Sequence, residues 1–157
     1  MLLDGFNHVA TLTNDSALLQ SFYEQVFDAV VVHDGAEHAD GSGPRLSIIK
    51  VGPHNELNVF EIDGNTEADR QTPMFARGRL DHLALQAASF EAFTTIRDRL
   101  IASGAADDFV TDFGQMLSVF FRDPDGMECE VSVTNPDAQP GVHHGPGNRS
   151  ARFPAGE

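Results

Sequence analysis

Hydrophobic and polar positions along this chain follow two periods in turn, and the same succession of periods occurs twice. Over residues 6–12 they alternate, with His8, Ala10 and Leu12 on one side and Val9 and Thr11 on the other, which predicts a strand. The period then lengthens. Leu18, Leu19, Phe22 and Val26 recur at helical spacing behind the capping side chains of Asn14, Asp15 and Ser16, predicting an amphipathic helix over about 16–27. A short β-branched strand is expected over 29–32, then a loop over 33–44 rich in Gly, Asp and His. Strands over 46–51 and 57–62 flank a turn at Gly52-Pro53-His54-Asn55.

After a polar connector over 63–78 the pattern restarts. A strand is expected over 80–86, with Ser89 as N-cap of a helix whose inner stripe is Phe93, Ile96, Arg97 and Leu100 and which Gly104 ends. Three further strands follow over 109–111, 116–122 and 127–133, the last two joined by Asp123-Pro124-Asp125-Gly126. Each half is therefore β-α-β-β-β. The expected fold is α+β: two βαβββ modules, about 5–63 and 79–133, forming paired curved mixed sheets around a cavity, with the helices on the outer faces. Residues 1–133 are expected to make one domain, and 134–157, rich in Pro and Gly and carrying His143-His144, a C-terminal tail.

Composition narrows the function classes. At 157 residues with 41% hydrophobic residues and twelve Phe, the chain is long and apolar enough for a core. Its 24 acidic against 10 basic residues give a formal charge of −14, which argues against nucleic acid and anionic membranes as partners. A single cysteine, Cys129, excludes an intramolecular disulfide framework. The first residues lack a basic region followed by an apolar run, and a cytoplasmic location is the expectation.

The repeat also organises the candidate chemistry. His8 and His82 stand 74 residues apart at corresponding places, and each half closes on a strand holding a carboxylate between apolar neighbours, Glu61 between Phe60 and Ile62 and Glu130 between Cys129 and Val131. Strand alternation places Glu128, Glu130 and Ser132 opposite the apolar face of Cys129, Val131 and Val133, and the same reasoning aims His8, Glu61, His82 and Glu130 into the cavity. A change of register puts Asn58 in place of Glu61. Imidazole and carboxylate together suit Fe(II), Mn(II), Ni(II), Co(II) or Zn(II), and three such donors leave positions open for water or substrate. A lone strand histidine is more often a packed residue than a ligand, and the repeat raises both together. Glu128 is expected at a solvated rim, Cys129 as an inert buried thiol, and His33, His38 and His54 as surface loop residues.

On these residues the chain resembles the vicinal oxygen chelate superfamily, the glyoxalase/bleomycin resistance/dioxygenase group, over about 6–133. The carriers are F-N-H-V-A-T-L near the start, the helix segment S-F-Y-E-Q-V-F, the restart L-D-H-L-A-L, and F-F-R-D-P-D-G-M-E-C-E-V, where the family places a metal-binding Glu just after the turn. The resemblance implies His8, His82 and Glu130 as metal ligands. It implies a fourth position in the last strand of the first module, open here between Glu61 and Asn58. The expected function is that of a divalent-metal-dependent enzyme acting on a small oxygen-chelating substrate, by isomerase, lyase or dioxygenase chemistry. Glu61, if not a permanent ligand, is the candidate general base. The alternative is a metal-free protein that sequesters a drug-like or aromatic ligand. A homodimer is expected in either case.

Overall fold

The computed structural model describes residues 2, 5–66 and 80–140. Most of the connector expected over 63–78, and the tail beyond residue 140 with its His143-His144 pair, lie outside the described residues. The chain divides into two compact units, Met1–Arg70 and Gln71–Glu157. Unit 1 contains β1 (His8–Thr13), α1 (Ser16–Phe27), β2 (Val30–Ala36), β3 (Arg45–Lys50) and β4 (Glu56–Glu61). Unit 2 repeats the order with β5 (Leu83–Gln86), α2 (Phe90–Ala102), β6 (Thr111–Asp112), β7 (Met116–Arg122) and β8 (Glu128–Thr134). Each unit is thus the expected βαβββ module of an α+β fold.

Both sheets are mixed and built alike. In unit 1 the strand order is β1-β4-β3-β2, and in unit 2 it is β5-β8-β7-β6. The first strand of each unit lies parallel to the last, and the other pairings are antiparallel. The helix supplies the long connection from the first strand to the rest of the sheet.

In unit 1, α1 starts where Asp15 adopts an extended backbone and its side chain accepts from the Leu18 N–H. Its buried stripe is Ser16, Leu19, Tyr23 and Val26. Leu18, expected on that stripe, is more than half exposed, and Tyr23 completes it instead. The stripe covers the sheet face formed by Leu57 and Val59 of β4 and Ser47 and Ile49 of β3, all buried, and Gln20 of α1 donates to the Ser47 hydroxyl. Full burial of Tyr23, Ile49, Leu57 and Val59 contributes about 1.5–3 kcal/mol for each apolar side chain. The helix closes on Asp28 in the left-handed region at φ 54°. β2 runs four residues into the segment expected to be loop. A bulge between Val31 and His33 breaks the alternation that would have disclosed it.

In unit 2, Ser89 caps α2 by accepting from the Ala92 N–H, and Phe93 and Leu100 are its buried residues. They match the apolar sheet face of Val119, Phe121, Cys129, Val131 and Val133, every one of which is buried. Cys129 sits on this apolar face as the sequence suggests. The turn from β7 to β8 is held by three bonds. Gly126 N–H donates to the Asp123 carbonyl, Asp123 N–H to the Met127 carbonyl, and Met127 N–H to Asp123 Oδ1. Gly126 takes φ 80°, which a side chain would strain.

Replacing Asp15 by Ala removes the α1 cap and should cost about 1 kcal/mol of stability. The measurement is the urea unfolding midpoint, and an unshifted midpoint at unchanged slope would show that the cap carries no weight.

Candidate metal centre

The turn at 123–126 fixes the β7–β8 register, and the register decides which side chains meet. Arg122 pairs with Glu128, Phe120 with Glu130 and Ser118 with Ser132, so all six lie on the sheet face away from the apolar one. β5 pairs with β8 in parallel, Ala84 beside Glu130, which leaves His82 just before β5 and within reach of the same carboxylate.

Glu130 is the centre of this cluster. Its side chain is 6% exposed, and an isolated carboxylate so buried costs several kcal/mol. Three groups compensate it. Ser118 and Ser132 each donate a hydroxyl to Oε1 at 2.6 Å, while His82 Nε2 stands 3.2 Å from Oε2. The His82 ring is 28% exposed and packs edge-on against Phe120, with ring centroids 6.2 Å apart.

His82 has acceptors on both sides. Its Nδ1 lies 2.8 Å from Asp81 Oδ2 and its Nε2 faces Glu130. A neutral imidazole has one N–H. Spent on Asp81, that proton leaves a lone pair on Nε2 aimed at a carboxylate oxygen, an arrangement that calls for a second proton or a cation at Nε2. A histidine whose Nδ1–H is held by a carboxylate is also the usual orientation of a metal-ligating imidazole. The donor set, one imidazole nitrogen and one carboxylate oxygen converging, fits a borderline divalent ion. Among the described residues, no group of three or more His, Cys, Asp or Glu side chains is arranged to hold an ion without further donors.

Unit 1 carries the corresponding histidine with the same tether, His8 Nδ1 lying 2.8 Å from Asn7 Oδ1. Its carboxylate is elsewhere. β1 pairs with β4 so that His8 stands beside Glu56, Ala10 beside Asn58 and Thr13 beside Glu61. Asn58 of unit 1 thus occupies the place that Glu130 occupies in unit 2, and its Oδ1 is buried without a hydrogen-bond partner. Glu61 does not share the face of His8, contrary to the expectation from its apolar neighbours. It belongs to the Leu57 and Val59 face that α1 covers, where its Oε2 accepts from the Ser16 N–H and lies 3.4 Å from Arg45 Nη1. Ser16 at the helix start, with Arg45 beyond it, holds the Glu61 carboxyl below its ordinary range. At a helix N-terminus a carboxylate is favoured.

Glu128, expected at a solvated rim, is instead buried and paired with Arg122, whose Nη2 lies 3.1 Å from Oε1. The residues that the sequence did not single out are Ser118 and Asp81. Ser118 is the one polar residue inside the run Met116–Phe121, and a strand period of two puts it on the face of Phe120.

A family model described as Glyoxalase/Bleomycin resistance protein/Dioxygenase superfamily matches residues 5–131. The chain belongs to this superfamily. No curated protein matches the superfamily member described here. Solved structures do share its fold. A glyoxylase/bleomycin resistance protein/dioxygenase domain from Frankia sp. EAN1pec has a TM-score of 0.69 at 22% identity, covering 86% of this chain and 95% of that one. A mutant of the fosfomycin resistance protein FosX from Listeria monocytogenes, complexed with Mn(II) and 1S,2S-dihydroxypropylphosphonic acid, has a TM-score of 0.61 at 17% identity, covering 83% and 92%. Lactoylglutathione lyase from Agrobacterium tumefaciens has a TM-score of 0.57 at 21% identity, covering 85% and 96%. Among the described residues no helix is long and apolar enough to cross a membrane.

The turn that sets this register has a pH signature. Burial pushes the Asp123 carboxyl up to about 7 from an ordinary 3.8, its backbone bond from Met127 opposing the rise and Asp125 adding to it. Between those values the folded protein holds a proton that the unfolded chain has released, so stability falls as pH rises through the interval. Asp123→Asn keeps the acceptor oxygen and cannot titrate. Relative to wild type it should gain on the order of a few kcal/mol between pH 4 and 8 in urea titrations. Parallel pH profiles for the two proteins would refute this.

Proposed function

We propose that this chain is a divalent-metal-dependent enzyme of the glyoxalase/dioxygenase type, acting on a small substrate that chelates through adjacent oxygens. The reading is carried by the facing pair in unit 2, His82 Nε2 and Glu130 Oε2 at 3.2 Å, with the Nδ1 side of His82 committed to Asp81. His82 and Glu130 are the two donors proposed in unit 2, and His8 is proposed as a metal ligand on its matching place in the repeat and the tie of its Nδ1 to Asn7. The Mn(II) complex of the Listeria fosfomycin resistance protein, which shares this fold, supports the choice of ion class.

Such an ion, when bound, polarises substrate oxygens and stabilises the negative charge that develops on them. The chain's own groups do the rest. Imidazole is a neutral donor and the Glu130 carboxylate offsets only one of the ion's two charges, so an anionic oxygen donor is favoured over a neutral one. Asn58, at the matching place in unit 1, is uncharged, and its buried Oδ1 is an acceptor open to a ligand donor. Glu61, turned to the α1 N-terminus, is assigned a structural role and not that of general base. The protein is proposed to act as a homodimer on a small-molecule substrate.

Calorimetric titration of the untagged protein with Mn(II), Fe(II), Co(II), Ni(II) and Zn(II) tests the reading. At least one ion should bind, and both His82→Ala and Glu130→Gln should weaken it by roughly 100-fold or more. Absence of binding, or equal affinity in the His82→Ala protein, would replace this function by metal-free ligand sequestration.

A further inference from the structure

We propose that Ser118 and Ser132 are positioning residues that restrict Glu130 to a single donor oxygen. The inference rests on the metal-dependent reading above and concerns side chains of unit 2 alone. Both hydroxyls end on the same carboxylate oxygen, Oε1, each at 2.6 Å, and neither donates to Oε2. A hydroxyl has one proton to give and a carboxylate oxygen has two lone-pair directions, so the two serines saturate Oε1. Ser118 is fully buried and Ser132 is 3% exposed, which leaves bulk water little access to compete for those bonds. The arrangement is built by the sheet, because Ser118 and Ser132 are cross-strand partners one step along from Phe120 and Glu130. Oε2 receives neither hydroxyl and faces His82 Nε2 at 3.2 Å.

Comparison of the two units supports a role tied to the carboxylate. The β3–β4 register gives the matching residues in unit 1, Leu46 for Ser118 and Phe60 for Ser132, around Asn58 in place of Glu130. The unit without the carboxylate lacks both hydroxyls. A substrate presenting two adjacent oxygens needs two places on the cation, and a carboxylate binding through both oxygens removes one of them. By occupying Oε1 the serines keep that place for substrate.

The test uses the full chain loaded with Mn(II) alone, comparing wild type with Ser118→Ala, Ser132→Ala, the double variant and Ser132→Thr. Water-proton relaxation counts the waters on the bound ion, a quantity that a purely structural role would not move, and free-Mn(II) spectra give the affinity. The double Ser→Ala variant should lose one bound water as Oε1 takes its place, and Ser132→Thr, which keeps the hydroxyl, should retain the wild-type count. Equal counts in wild type and double variant, with Mn(II) bound to both, overturn the positioning role while leaving the metal reading intact. If Mn(II) binds His82→Ala as tightly as wild type, the metal reading fails and the positioning role falls with it. Should the double variant not fold, Ser132→Ala against Ser132→Thr decides: a lower count in the alanine variant alone supports the role, and equal counts overturn it.

Discussion

A carboxylate removed from water must be met by donors from several directions at once, and in unit 2 that demand governs the whole sheet. Glu130 is satisfied by hydroxyls from its own strand and from β7, and by an imidazole at the start of β5. None of these is near it in sequence except Ser132. They converge because the β7–β8 register is held by the turn, and the turn by the Asp123 carboxyl and by a glycine at positive φ. A slip of one residue would send Glu130 into the apolar face beneath α2 and bring Cys129 or Val131 to the polar face. Turn, register and buried charge are therefore one constraint.

Unit 1 has the same strand order without that constraint. Asn58 stands where a charge would need compensation, and the residues around it, Leu46 and Phe60, offer none. Its carboxylate, Glu61, has moved to the other face, where the Ser16 N–H at the start of α1 and Arg45 meet it. The position matching Glu61 in unit 2 is Val133, a buried apolar residue. Glu130 thus serves a sheet face and Glu61 a helix terminus. What both units keep is the histidine with an oxygen from the preceding side chain on Nδ1.

Much of this was legible in the sequence, and the failures have physical causes. The bounds of α1 and β7 follow from periodicity and capping because their signals are local: Asp15 at one end of the helix, an apolar run of fixed length in the strand. The extension of β2 was hidden because an edge strand tolerates Gly, Asp and His, and because its bulge interrupts the alternation. Glu61 was aimed at the wrong face because its apolar neighbours resemble those of Glu130, whereas facing is set by the cross-strand partner, and Thr13 is not the equivalent of Ala84. The burial of Glu128 is not evident from strand alternation because Arg122, on the neighbouring strand, comes beside it only once the hairpin has closed. Local pattern gives the elements, and register, which is not local, gives the chemistry.

The asymmetry between the units bears on the proposed metal function. Around His82 stand two carboxylates, Asp81 on Nδ1 and Glu130 toward Nε2, while around His8 the tether is the neutral Asn7 and the matching strand residue the neutral Asn58. The buried charge thus lies in unit 2, where the serines are present to meet its cost. A glutamate at 58 would meet no hydroxyl from Leu46 or Phe60, and the uncharged Asn58, though its Oδ1 is buried without a partner, costs less there than an unpaired carboxylate.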